Sequence, residues 1–293
     1  MKPMKPPSFR YLRPTTVEEA VAVLAEHGSD AKVLAGGQSL IPMMNLRMAQ
    51  PRVLVDINRL AALDYIRPEN GTLVIGALTR QTTLERSSAA AERAPLMVEA
   101  VHYVAHRPIR NRGTVGGSLA HADPAAELPA IAVALDGSLV VRGAKGERTI
   151  SAPDFFVSYF TTSMEPDELL TEVRLPVWPA GQGWSFKEFS PRQGDFALAG
   201  VAATLRVEEG VCQEARLVYI GVDEHPLRIT QAEEALTGRQ ANEGTFREAA
   251  AVASRLVDPP SDVHADVEYR RDLVNTLTRR ALMQALERCE KGA

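Results

Sequence analysis

The most restrictive feature of this sequence is a pair of glycine doublets set far apart in the chain. Gly36-Gly37 follows the short run Lys32-Val33-Leu34-Ala35, and Gly116-Gly117 follows Thr114-Val115. Each leads into a serine, Ser39 in the first case and Ser118 in the second. Glycine lacks a Cβ, so it takes positive φ readily and lets other atoms approach the backbone closely. Consecutive amides in such a turn form a concave anion-binding nest. Either doublet alone reads most simply as a tight turn. Together, with the hydroxyls of Ser39, Ser118 and Thr114 and the start of a helix after Ser39, they point to one shared phosphate site. A diphosphate is its natural occupant.

The surrounding pattern is mixed. Thr16 caps a helix whose apolar face is Val17, Ala20, Val21 and Leu24; Glu19 completes a capping box and Gly28 supplies the stop. Residues 32–35 and 53–57 are expected strands, joined by a short helix over 40–48 with Pro42 in its first turn and Pro51 beyond it. Asn70-Gly71 predicts a tight hairpin within 65–77. Helices over 83–92, 96–106 and 128–135 and a strand over 138–142 follow. Residues 110–124, rich in glycine and polar groups, are expected as ordered irregular backbone. The prolines and glycines of 176–183, flanked by Trp178 and Trp184, mark a domain boundary. Beyond it, strands over 186–189, 198–207 and 215–222 make an antiparallel sheet, and 229–236, 243–256 and 267–290 are helical. The plan is α+β. No G-x-G-x-x-G follows the first strand, so a doubly wound dinucleotide fold has little support.

Composition removes several function classes. The 293 residues, 45% hydrophobic and 24% charged, suffice for a sizeable core in two domains. Lys+Arg 33 against Asp+Glu 37 gives a net charge of −4, which argues against a nucleic-acid-binding face. No apolar run is long enough to span a membrane. The segment Met1–Arg13 lacks the apolar core of a secretory signal and is expected to lie across the surface. Cys212 and Cys289 are the only cysteines. Without C-x-x-C the chain cannot ligate an iron–sulfur cluster or a Cys-type zinc site, and a disulfide framework is implausible. A reducing cytoplasm fits.

The run Ala35-Gly36-Gly37-Gln38-Ser39-Leu40, then Leu46-Arg47, Pro51 and Asp56-Ile57, then Gly113-Thr114-Val115-Gly116-Gly117-Ser118, resembles the FAD-binding medium subunits of the molybdenum hydroxylases. That family includes carbon monoxide dehydrogenase and the bacterial quinoline and nicotine dehydrogenases, and xanthine dehydrogenase carries the equivalent domain. The resemblance covers the whole chain and extends to the Phe186-Lys187-Glu188 strand and the helical tail. It implies a vanillyl-oxidase-type (PCMH-type) FAD domain over 1–176, made of two α/β subdomains of about 1–58 and 59–176. It also implies a C-terminal flavoprotein domain over 177–293 with a three-stranded antiparallel sheet and helices. The segment Lys32, Val33, Leu34, Ala35, Gly36, Gly37, Gln38, Ser39 and Leu40 would wrap the pyrophosphate. Thr114, Gly116, Gly117 and Ser118 would do so from the opposite side. Asp123 and Glu127 would lie toward the adenosine end, and Val104, Leu170 and Lys187 stand where the family has further FAD contacts.

The resemblance also implies partners. With no cluster ligands of its own, the chain would be the middle link of a heterotrimer, assembled as a dimer of heterotrimers. A small subunit would hold two [2Fe-2S] clusters and a large one molybdopterin, and FAD here would pass electrons to an external acceptor. The chain has no need of a catalytic base, and none is named. The run from Arg110 to Asp123, including His121-Ala122-Asp123, is more like that of enzymes acting on aromatic N-heterocycles than that of the carbon monoxide enzymes. The lack of a cysteine-bearing insertion argues against the benzoyl-CoA reductase branch. A carbon monoxide dehydrogenase subunit, a stand-alone FAD oxidoreductase and a scaffold that has lost FAD remain as alternatives.

Other residues carry plainer expectations. His102 and His106, four apart on one expected helix, lack a third metal ligand. His121 either orders its loop or adjoins FAD. Arg107, Arg110 and Arg112 default to solvated arginines, and Lys187 either faces the flavin or joins a surface ion pair. Phe155-Phe156 and Tyr159-Phe160 are expected in the core, and Asp195-Phe196-Ala197 resembles the family's segment near the isoalloxazine edge.

Overall fold

Sheets of different construction organise the chain, and each packs its own core. In the computed structural model, which describes residues 5–292, the first is a three-stranded parallel sheet ordered Arg10–Leu12, Val53–Asp56, Ala31–Leu34. The central strand is buried along its length, as an apolar, β-branched run covered on both faces should be. The helix Val17–His27 covers it with Ala20, Val21 and Leu24. Its cap works as expected at Thr16, whose hydroxyl accepts from Glu19 N at 3.1 Å. The Glu19 carboxylate, however, reaches back to Thr15. Residues 5–13 lie at the surface as expected, and Arg10–Leu12 within them pairs as the edge strand of this sheet; Met1–Met4 lie outside the described residues.

The second sheet is antiparallel, ordered Ile66–Glu69, Thr72–Gly76, Leu169–Pro176, Ser138–Gly143, Gly146–Ser151. Asn70 and Gly71 form the predicted hairpin turn at φ 46° and 77°. The helices differ from expectation where turns intervene. Residues 81–93 form two helices, Gln81–Glu85 and Ser88–Arg93, because the Ser87 hydroxyl caps the second. The helix Pro95–Val101 stops before His102, and the first-loop helix covers only Leu40–Asn45. The segment expected to be irregular holds two helices, Arg107–Arg110 and Val115–His121. Phe155 and Phe156 are core residues, but Tyr159 and Phe160 are about half exposed on a small hairpin of Phe156–Ser158 with Thr161–Thr162.

The third sheet runs Gln182–Phe189, Ala199–Glu208, Val211–Ile220, Leu227–Arg228. A two-residue edge strand thus adds to the expected three. Alternation along Ala199–Glu208 divides its side chains between two cores. Val201, Ala203 and Leu205 face the helices Thr230–Glu234, Glu243–Leu256 and Val267–Gly292, while Ala202 joins Phe186, Val218 and Ile220 against the second lobe. Both faces are therefore covered, which fixes the sheet against the lobe that carries the second glycine doublet. Trp178 and Trp184 meet edge to face at 5.7 Å across the intervening turn. Among the described residues no helix is long and apolar enough to cross a membrane.

Candidate cofactor site

The two glycine doublets meet. The first loop leaves the parallel sheet after Leu34; the second is stitched to the segment 77–81 that follows the antiparallel strand Thr72–Gly76. Gln81 N donates to Gly113 O at 3.0 Å, Val115 N to Thr79 O at 2.9 Å and Gly116 N to Ala77 O at 2.9 Å. Between the loops the backbones touch. A Cβ on Gly36 would lie 2.5 Å from Arg112 O and 2.9 Å from Gly113 Cα, and one on Gly117 would lie 3.9 Å from Ala35 Cβ. Only glycine at 36 allows this approach.

The loops offer different resources to a ligand. No hydrogen bond joins the N–H groups of Gly36, Gly37, Gln38 or Ser39 to another described residue. Gly37 has φ 73°, and the Gln38 side chain folds back, its Nε2 donating to Gly36 O at 3.0 Å. Four consecutive amides are thus free, as a nest requires. In the second loop the expected nest is absent. Val115 N and Gly116 N are bound to the turn that follows the strand Thr72–Gly76, and Gly117 N donates to the Thr114 hydroxyl at 3.0 Å as an N-cap bond. Gly116 is a packing glycine pressed against Ala77, and a Cβ on Gly117 would strike the Thr114 hydroxyl at 2.6 Å. The second loop is therefore a wall with a helix start behind it.

Two side chains with no sequence motif of their own brace the junction. Asn58 Nδ2 donates to Ala35 O at 2.8 Å and to Asp56 Oδ1 at 2.6 Å. Arg80 Nη2 donates to Asn58 Oδ1 at 2.7 Å, and its Nη1 donates to Arg112 O. Tyr11 closes the network by donating to Asp56 Oδ2. Burial and then the Tyr11 bond act on Asp56 in opposite senses, and with Asn58 and Arg13 adding to the bond the carboxyl sits below its usual value.

Lys32 is exposed, and Val33, Leu34, Ala35, Ser118 and Lys187 are partly buried or open except where the loops touch. Leu170 is buried on the central strand of the second sheet. Val104 O accepts from Arg110 Nη1 at 3.0 Å. Arg110 is buried, not solvated, and its Nε pairs with Glu85 Oε2 at 3.0 Å. His121 packs on Phe160 at 5.1 Å, and burial lowers its pKa against the pull of Asp123, so the ring is neutral at pH 7. Burial pushes the Glu127 carboxyl up to about 7, helped by Asp123. Burial pushes Glu188 up to about 9, helped by the charge of Glu127, and its Oε2 is buried without a hydrogen-bond partner among the described residues. His102 and His106 do not share a helix: Ala105 turns the chain at φ 41°, and His106 opens the next one. Among the described residues there is no cluster of His, Cys, Asp and Glu able to hold a metal ion. Beyond Asp123, a cavity of about 600 Å³ is lined by Pro124, Ala125, Tyr159, Asp195, Phe196 and Arg270.

The profile of the family described as FAD binding domain in molybdopterin dehydrogenase matches residues 7–178. The chain belongs to the FAD-binding medium subunits of molybdenum hydroxylases. A second profile, the CO dehydrogenase flavoprotein C-terminal domain, matches residues 184–285. The 6-hydroxypseudooxynicotine dehydrogenase complex subunit alpha of Paenarthrobacter nicotinovorans is 43% identical, over 97% of each chain. A solved carbon monoxide dehydrogenase from Hydrogenophaga pseudoflava superposes with a TM-score of 0.95 at 40% identity, covering 97% of this chain and 99% of that one. Quinoline 2-oxidoreductase from Pseudomonas putida 86 gives a TM-score of 0.93 at 35% identity, covering 97% and 98%.

For a medium subunit, the residues present fit FAD. Four free amides in a loop whose neighbour permits no Cβ supply a diphosphate cradle, and FAD is joined at its middle by that group. What sequence reasoning missed is the support behind the cradle, Asn58 and Arg80. Asp56-Ile57 was the nearest signal, since Asn58 follows it directly.

Proposed function

We propose that this chain is the electron-transfer subunit of a heterotrimeric molybdenum hydroxylase. It takes electrons from the [2Fe-2S] clusters of a small subunit and passes them to an external acceptor. The observation that carries the reading is the contact of Gly36 with Arg112–Gly113 beneath four unbonded amides. Bound FAD supplies the chemistry, storing two electrons that arrive one at a time. The chain's own residues bind and orient it. The amides of Gly36–Ser39 hold the diphosphate, the Val115–His121 wall faces them, and Lys32–Leu40, Thr114, Gly117, Ser118, His121, Asp123 and Glu127 line the cleft, with Val104, Leu170 and Lys187 as further contacts. A Glu127 carboxyl near neutrality donates as well as accepts at pH 7.

We assign residues 1–176 to the FAD domain, in two subdomains, and 177–293 to the C-terminal domain. The assembly is a dimer of heterotrimers with a large molybdopterin subunit, in the cytoplasm. Its substrate is an aromatic N-heterocycle or related organic compound, supported by the likeness to the 6-hydroxypseudooxynicotine and quinoline enzymes and by the Arg110–Asp123 run. The 0.95 TM-score with carbon monoxide dehydrogenase supports the medium chain of such an enzyme as the second reading.

An absorbance scan of the purified full chain tests the cofactor. A flavin spectrum is expected, with dehydrogenase activity only in the presence of large and small subunits. Protein that stays colourless after incubation with FAD refutes the reading, and turnover by the isolated chain refutes the subunit role.

A further inference from the structure

We propose that Asn58 and Arg80 form a positioning bridge that aims the first glycine loop and locks the second against it. The inference rests on the FAD reading above. A trans peptide holds its C=O and the following N–H in opposite directions. By grasping Ala35 O at 2.8 Å, Asn58 sends the Gly36 N–H away from itself, where it has no partner among the described residues. Asn58 is in turn immobilised on both sides of its amide. Its Oδ1 accepts from Arg80 at 2.7 Å, and its Nδ2 and backbone N donate to Asp56 Oδ1 at 2.6 and 2.9 Å. Arg80 uses its other terminal nitrogen on Arg112 O, the atom that excludes a Cβ from Gly36.

One guanidinium thus spans the junction between lobes. The bridge needs a fork: a lysine keeps the charge but lacks two nitrogens in fixed geometry. It also needs a carboxamide, because an aspartate at 58 would present only acceptors and would leave Ala35 O without its donor. Asp56 stands beside Asn58, so the positive charge is partly offset and the role is geometric.

The test uses the full chain stripped of flavin, titrated with FAD and with ADP, which carries the diphosphate without the flavin. Arg80→Met and Asn58→Asp are expected to weaken both ligands about tenfold or more, by equal factors. Arg80→Lys is expected to fall with Arg80→Met, and Arg80→Met with Asn58→Asp to lose no more than about twofold beyond the worse single variant. Hydrogen exchange at the Gly36 amide without ligand reads the aim directly, even where a variant is less stable, and is expected to change in each. Wild-type affinity in Arg80→Lys overturns the bridge in favour of simple charge. Loss on FAD alone moves the effect to the flavin end and also overturns it. A wild-type chain that binds neither ligand removes the FAD reading; a wild-type chain that binds, with unaffected variants, removes only the bridge.

Discussion

Replacing Gly36 by alanine tests the convergence of the two loops with a single methyl group. The new Cβ would sit 2.5 Å from Arg112 O, 2.9 Å from Gly113 Cα and 3.0 Å from Arg112 C, all backbone atoms of the opposite loop. Carbon–oxygen contacts relax near 3.3–3.6 Å, so the loops must part by about 1 Å. Overpacking of this kind costs about 1–3 kcal/mol. At about 2 °C per kcal/mol for a chain this long, the unfolding midpoint should fall by about 2–6 °C. The effect on FAD is larger in proportion, because misplacement by about 1 Å costs up to about 100-fold where geometry is fixed. Fluorescence titration of FAD into the stripped chain measures it, with Gly37→Ala as comparison. There the Cβ meets only Leu34 Cδ1 at 3.1 Å and Ile41 Cγ1 at 3.2 Å, with φ 73° adding strain of about 1–2 kcal/mol. Gly37→Ala should match Gly36→Ala in stability and exceed it in FAD affinity. FAD binding by Gly36→Ala within twofold of wild type would refute the convergence.

Three further outcomes follow from the site. Glu188 has its pKa raised to about 9, so the stability it lends is complete below its ordinary value and is lost as pH rises through about 9. Thermal midpoints should therefore fall toward alkaline pH, and Glu188→Gln should flatten that slope; an unchanged slope contradicts the buried neutral acid. Arg110→Met leaves Glu85 with only His102 among the described residues, 3.9 Å away, and frees Val104 O and Ala105 O, which accept from Arg110 at 3.0 and 3.2 Å. A loss of about 3 kcal/mol in urea unfolding is expected, and a loss under about 1 kcal/mol would show the pair to be solvated after all. Thr114→Ala removes the cap on Gly117 N and should cost about 1 kcal/mol, with FAD affinity reduced less than in Gly36→Ala, since the amides that hold the diphosphate lie in the other loop.

Local chemistry was readable wherever one residue type decides the conformation. Thr16 before an apolar periodicity, Asn70-Gly71 between two β-rich runs and the glycine at 36 each have few alternatives, and each does what its type demands. The Val115–His121 helix was hidden because two adjacent glycines each cost about 1 kcal/mol in a helix. Its bonds to Thr79 O and Ala77 O, in the turn that follows the strand Thr72–Gly76 and is distant in sequence, outweigh that cost. The strand Leu169–Pro176 was hidden for a related reason. Thr171 and Glu172 interrupt its apolar run, yet both are buried, Thr171 donating to Val140 O at 3.0 Å and Glu172 accepting from Tyr65 and Arg174. Asn58 and Arg80 act on backbone carbonyls of other segments, and such contacts leave no periodicity or spacing behind.

The strand Arg10–Leu12 pairs with Val53–Asp56, and Tyr11 reaches the carboxylate that anchors Asn58. The front of the polypeptide is therefore mechanically coupled to its nucleotide grip. A proteolytic nick or a bulky insertion at Arg10–Leu12 would tug on the same sheet that presents the cradle, and so on the colour of the protein.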